Sequence, residues 1–372
     1  MRRALFLVLV ILAASTTAVI VPRAAFAEGT DPSWAVCSAH TIPVTLSATD
    51  PTVYNVSGRL CLRDNAQRGM KTVELMVSGL TYDHNYFNIS YSPNTYSYVY
   101  AATSRGYSTF NIDRLGVGLS DKPPADQLTV QSHAYVIQQI IRKLRAGEIG
   151  GRAFTTVVGI GHSLGAGIFQ YLAGTATDSA SSPDYLILSG WLHQGNVTTL
   201  TTLAGSLYDA ALDPAFSTAG LPAGYITTMP GTRGSIFYNS AQSEAAMITL
   251  DEQLKQTGTL AERSTLAAAR SSSVALNIKV PVLISVGQYD NLQCDEANGL
   301  YCAGGASVLL TREAPYYSAK ACLTAYMVIG SGHSVNLQGK ARESYNYHHQ
   351  WLDNYTVNNV ANKDSNGCLP AP

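Results

Sequence analysis

The chain has 372 residues, 24 Lys+Arg against 25 Asp+Glu, 46% hydrophobic and 13% charged residues, and a formal net charge of −1. That apolar content supplies a folded core and excludes disorder, while the lack of any basic excess or basic run argues against a nucleic-acid partner. The length exceeds one simple domain, so it predicts two domains or one large α/β domain carrying an insertion.

At the N-terminus, Arg2 and Arg3 precede an apolar run from Ala4 to Ala14 and a second one ending near Val21. Ala25-Phe26-Ala27 then offers the small residues that a signal peptidase needs, which predicts a signal peptide over 1–27 and a secreted mature chain starting at Glu28. The competing reading is an uncleaved membrane anchor, because the apolar stretch is nearly long enough to span a bilayer. After cleavage no stable membrane insertion is expected. All six cysteines lie beyond the leader, and an even number in an exported chain reads as three disulfides. Sequence neighbourhood suggests Cys37–Cys61, Cys294–Cys302 and Cys322–Cys368. No cysteine pair has the short spacing of a zinc site, so no metal is expected.

Past the leader, 41–48 and 53–63 read as two strands around the turn at Asp50-Pro51. An apolar run at 73–77 ends in Ser78-Gly79, a buried strand entering a turn. Another strand, 108–113, leads into Asp113-Arg114-Leu115-Gly116-Val117-Gly118-Leu119-Ser120. Val130, Ala134, Ile137, Ile141 and Leu144 recur at helical spacing. A strand at 155–160 and a helix at 164–174 follow, then strands at 185–188, 282–286 and 323–329 and a closing helix at 340–354. Short apolar strands alternating with helices predict a mostly parallel, doubly wound sheet covered on both faces. The alternation breaks at 191–275. This stretch shows no clean strand, and between Trp191 and Leu250 only Asp209, Asp213, Arg233 and Glu244 are charged. It reads as a helical cap inserted in a core formed by 28–190 and 276–372.

Gly161-His162-Ser163-Leu164-Gly165 fits G-x-S-x-G. The bare pattern is weak in a glycine-rich chain, but here it joins a strand to a helix, the setting that a nucleophile elbow requires. A serine hydroxyl needs a base. With this elbow the base is a histidine that follows an acid in the chain, which selects His333 in Gly330-Ser331-Gly332-His333-Ser334 and Asp290 in Val286-Gly287-Gln288-Tyr289-Asp290. The rivals are His348 and His349, expected to be solvated on the last helix, and Asp295 and Glu296. Oxyanion donors are expected from the N–H groups of Leu164, next after the nucleophile, and Leu80, next after Ser78-Gly79. Tyr82 and His84 lie close enough downstream to reach a substrate pocket, with turn packing as the other reading.

In the order of these pieces the chain resembles the capped, lipase- and esterase-like serine hydrolases of the α/β-hydrolase superfamily. The resemblance covers Val73 to about Asp353. It implies a mostly parallel sheet of about eight strands, a cap between the sixth strand and the acid-bearing strand, and acyl-enzyme chemistry without a cofactor. Ser78-Gly79 stands where that family commonly has His-Gly. Ser163 rather than Asp at the elbow argues against dehalogenase and epoxide hydrolase chemistry. The neutral cap favours a neutral or lipophilic acyl substrate, and the chain is expected to work as a monomer. Ester hydrolysis is the leading expectation. Amide, lactone or acyl-transfer chemistry at the same triad, or a non-catalytic binding protein that kept the fold, are the alternatives.

Overall fold

A strand covered on both faces has no solvated side, so it reads as a continuous apolar run rather than an alternation. Such runs form the centre of this protein, whose computed structural model describes residues 30–358 and 363–372. The expected signal peptide lies outside the described residues. The chain opens with β1 (Val36–Thr45) and β2 (Val53–Leu62), followed by β3 (Thr72–Val77), α1 (Pro93–Tyr96), α2 (Tyr98–Arg105) and β4 (Ser108–Ile112). Next come α3 (Val130–Ala146), β5 (Thr156–His162), α4 (Leu164–Thr175) and β6 (Tyr185–Ser189). The inserted segment holds α5 (Val197–Gly205), β7 (Leu207–Asp209), β8 (Tyr225–Thr228), α6 (Arg233–Phe237), α7 (Ala245–Leu254), β9 (Gly258–Thr259), α8 (Leu260–Ala269) and α9 (Ser272–Ala275). β10 (Val282–Gly287), α10 (Ala306–Glu313), β11 (Thr324–Val328) and α11 (Ala341–Thr356) complete the order.

Eight strands make one sheet in the order β1-β2-β4-β3-β5-β6-β10-β11. β2 runs antiparallel to both neighbours, and every other pairing is parallel. Alternate residues of the central strands serve two cores. Val73, Leu75 and Val77 pack with Ile137, Ile141, Ile168 and Leu172 on one face. Met76, Val158, Ile160, Ile187 and Leu283 pack with Tyr98, Tyr345 and Trp351 on the other. A sheet of parallel strands gathers their carboxyl ends along one edge, where ligand sites of open α/β sheets form. Ser78, Ser163, Gly190 and the loops after β10 and β11 all leave the sheet at that edge.

The helix expected between Leu128 and Arg145 is α3, with its five periodic apolar residues buried. Thr129 and Ser132 form a capping box at its start, and Gly147 (φ 76°) ends it. Three features differ from the sequence expectations. β1 starts at Val36 because Cys37 stands directly opposite Cys61 in the hairpin and is bonded to it. The inserted segment is not purely helical: β7, β8 and β9 form a small antiparallel sheet, in pieces too short to show a strand period. His348 and His349 are buried rather than solvated, since their face of α11 packs on the sheet, where His349 Nε2 lies 3.2 Å from the Glu74 carboxylate. The remaining disulfides join Cys294 to Cys302 and Cys322 to Cys368. No helix among the described residues is long and apolar enough to cross a membrane.

Candidate active site

β5 ends at His162 and α4 begins at Leu164, leaving Ser163 alone in the turn with φ 52° and ψ −115°. A side chain held at positive φ costs about 1–3 kcal/mol and persists only where its surroundings impose it. Here the Ser163 N–H donates to the Ser189 carbonyl (2.8 Å), and the Ser163 carbonyl accepts from the Gly167 N–H (3.0 Å). The turn is also tight enough that a Cβ on Gly165 would sit 2.0 Å from the Val77 carbonyl oxygen. Glycine at that position is therefore a steric requirement. Leu164 is the first residue of α4, so its N–H has no acceptor within the helix and belongs to the positive end of the helix dipole.

His333 and Asp290 come from the loops after β11 and β10. The His333 Nδ1–H donates to the Asp290 carboxylate, 2.9 Å from each oxygen. Asp290 Oδ1 also accepts from the N–H groups of Leu292 (3.0 Å) and Gln293 (3.2 Å), which fixes the carboxylate before the histidine meets it. Both partners are buried, at 1% and 0% exposure, while Ser163 keeps partial solvent access. His162, the residue before the serine, places its ring 4.9 Å from that of His333 and donates from Nε2 to the His333 carbonyl (3.3 Å). Its ring stacks on Tyr86 at 4.0 Å. Burial first, then the neighbouring His333 and Arg233, hold His162 well below its ordinary pKa, so it is neutral and adds no positive charge beside the base.

The second expected oxyanion donor, Leu80, follows a turn that the core and the inserted segment grip together. Gly79 approaches the elbow so closely that a Cβ there would lie 3.2 Å from Ser163 Cβ and 2.8 Å from His162 Nδ1. The Ser78 hydroxyl donates to the Tyr82 carbonyl (2.9 Å), closing this turn. Arg114, 1% exposed, donates from Nε to the Ser78 carbonyl (3.1 Å) and from Nη2 to the Gly79 carbonyl (2.9 Å). Its Nη1 pairs with Glu262 of α8, whose same oxygen accepts from His133 Nε2 (2.8 Å). Burial would raise the Glu262 pKa, but the Arg114 guanidinium and His133 hold it below the usual carboxylate range. Past Leu80, Thr81 is left-handed (φ 61°), and Arg233 of α6 donates to its hydroxyl (2.9 Å) while pairing with Asp251 of α7.

Ser163, Leu164, Leu80, Asp290 and His333 thus all follow carboxyl ends of strands at one edge of the sheet, with His333 and Asp290 in direct contact. Tyr82 is near them but buried at 4% exposure. Its hydroxyl donates to Asp251 (3.2 Å) and lies 2.7 Å from Ser334 Oγ, and its ring meets that of His162 edge to face, so its polar end is engaged within the protein. His84 pairs with Asp113 instead (2.8 Å). Glu296 accepts from the N–H groups of Cys302 and Ala303, inside the disulfide loop. Asp295 is tied by its backbone to Leu300. Sequence reasoning passed over Arg114, Arg233, Asp251 and Glu262. A signal existed for Arg233, since it is the one Lys or Arg between Trp191 and Leu250.

Comparison with known proteins agrees with this architecture. Residues 75–342 match the Alpha/beta hydrolase family. No curated protein is matched in sequence. Among solved structures, a monoglyceride lipase from Saccharomyces cerevisiae superposes with a TM-score of 0.56 at 17% identity, covering 86% of this chain and 97% of that one. An enol-lactonase from Burkholderia xenovorans gives 0.52 at 13%, covering 80% and 96%. A carboxylesterase from Bacillus subtilis gives 0.51 at 11%, covering 88% and 94%. At such identities these likenesses speak for the fold, and the family match spans well over half of the chain. The chain belongs to the Alpha/beta hydrolase family.

Proposed function

We propose that the protein is a secreted serine hydrolase that cleaves a carboxylic ester of a neutral or lipophilic acyl substrate. Ser163 attacks the carbonyl carbon and His333 takes the hydroxyl proton. Asp290 holds the histidine tautomer and balances the imidazolium, and the Leu80 and Leu164 N–H groups receive the oxyanion. His333 returns the proton to the leaving alcohol. A water activated by the same histidine then releases the acid from the acyl-enzyme.

The observation that carries this reading is the strained Ser163 at the start of α4, on the same sheet edge as a buried His333–Asp290 pair. A neutral substrate is supported by the inserted segment, where Arg233 and Asp251 pair with each other and Glu262 pairs with Arg114, so these buried charges are already engaged. Ester and lactone names among the solved structures of this fold support carboxylic ester chemistry. Secretion rests on the leader at 1–27 and on three disulfides, a bond type that persists in oxidising compartments. Ser163→Ala tests the nucleophile. It should abolish turnover of p-nitrophenyl esters while leaving the melting temperature within a few degrees, and retained turnover would remove Ser163 from that role.

A further inference from the structure

A trans peptide is planar, with its C=O and N–H pointing in opposite directions, so fixing one aims the other. The peptide that carries the Leu80 N–H also carries the Gly79 carbonyl. That carbonyl accepts from Arg114 Nη2 (2.9 Å), and the preceding one, of Ser78, accepts from Arg114 Nε (3.1 Å). The planar guanidinium thus clamps two consecutive carbonyls. Gly79 itself abuts Ser163 and His162. The third arm of the fork, Nη1, ends on Glu262 of α8, whose other oxygen accepts from the Thr259 N–H (2.7 Å). The whole assembly is out of water, with Arg114 and Glu262 each 1% exposed.

We propose that Arg114 is a positioning residue of the oxyanion hole, aiming the Leu80 N–H through the Gly79 carbonyl, and that Glu262 of the inserted segment holds Arg114 in place for this task. The inference rests on the serine-hydrolase reading above. It makes the inserted segment a fixed part of the catalytic apparatus, because withdrawing α8 would take Glu262 from a buried guanidinium. Hydrogen bonding to the Gly79 carbonyl also polarises that peptide and makes its N–H a stronger donor.

Two variants test the proposal. Arg114→Lys keeps a charge for Glu262 but cannot span two carbonyls with a fork, and Glu262→Gln keeps the shape of the partner while removing its charge. Each is measured per active site, titrated with a fluorophosphonate, for kcat and KM on a p-nitrophenyl ester and for inhibition by phenylboronic acid, whose serine adduct mimics the tetrahedral intermediate. Arg114→Lys should lower kcat about 10- to 100-fold with KM within about threefold. Phenylboronic acid should weaken in parallel. Glu262→Gln should show the same pattern at smaller size. A lowered melting temperature with unchanged kcat and boronate inhibition per titrated site would mark Arg114 as structural and overturn the proposal. If Arg114→Lys does not fold, the same two readouts on Glu262→Gln decide. A wild-type protein inert to both ester and fluorophosphonate would overturn the hydrolase reading and this inference together, whereas an active wild type with unaffected variants overturns the inference alone.

Discussion

At the scale of single residues, the site rests on side chains that are each held by more than one contact. Asp290 has its carboxylate fixed by two backbone N–H groups before it accepts from His333. Asp290→Asn should therefore leave the loop in place while presenting an amide that stabilises the wrong histidine tautomer. A loss in kcat of about 10³–10⁴-fold is expected, with KM little changed, read in steady-state assays. Retention of more than a tenth of wild-type kcat would mean that another group orients His333. The candidate triad could be named from the sequence because order and local context narrow the choice: a serine between strand and helix, then an acid and a histidine each just beyond a strand. Arg114 was not legible as a functional residue. Its role depends on which carbonyls lie beside it, and that is set by the packing of β3 against β4.

Elements were readable where their periodicity was long and their ends were marked. α3 carries five apolar residues at helical spacing, a capping box and a terminal glycine, and each signal points to the same element. β7, β8 and β9 have two to four residues apiece, too few for a period to show, so the sequence of the segment containing them reads as helical. The two short helices over Pro93–Tyr96 and Tyr98–Arg105 have no place among the sequence expectations: they are too short to show a period, although Ser97 and Gly106 cap the second, and both dock against α11. The elbow is an element in the same sense, being a strand, a strained serine and a helix joined by a steric demand. Gly165→Ala would press a Cβ to 2.0 Å from the Val77 carbonyl oxygen. It should cost about 3 kcal/mol, the upper end for overpacking, in denaturant melts, and lower activity beyond that loss by tilting Ser163. An alanine variant with wild-type stability and kcat would contradict the tight elbow.

Over the whole molecule, the eight-stranded sheet brings residues far apart in sequence to one edge, and the same compactness buries groups that titrate. His348 lies inside α11's packed face with its Nε2 3.1 Å from the Ser344 hydroxyl. Burial, and then the adjacent His349, pull its pKa down to about 3. The unfolded chain protonates this imidazole near pH 6.5 (roughly the free value), while the folded one resists until about 3. The contribution of His348 to stability is therefore complete above about 6.5 and falls by about 1.4 kcal/mol for each pH unit below it, as the unfolded state gains a proton that the folded state does not. His348→Gln should flatten that slope in melts between about pH 7 and about pH 4. An unaltered slope would assign the acid sensitivity to other groups.

The most direct test of the central claim, that Ser163 is an activated nucleophile in an assembled triad, is incubation of the folded, disulfide-intact protein with a fluorophosphonate, followed by intact mass and peptide mapping. The account predicts one covalent adduct, on Ser163, lost in Ser163→Ala and much slowed in Asp290→Asn. No adduct, or an adduct on any other residue, would contradict it.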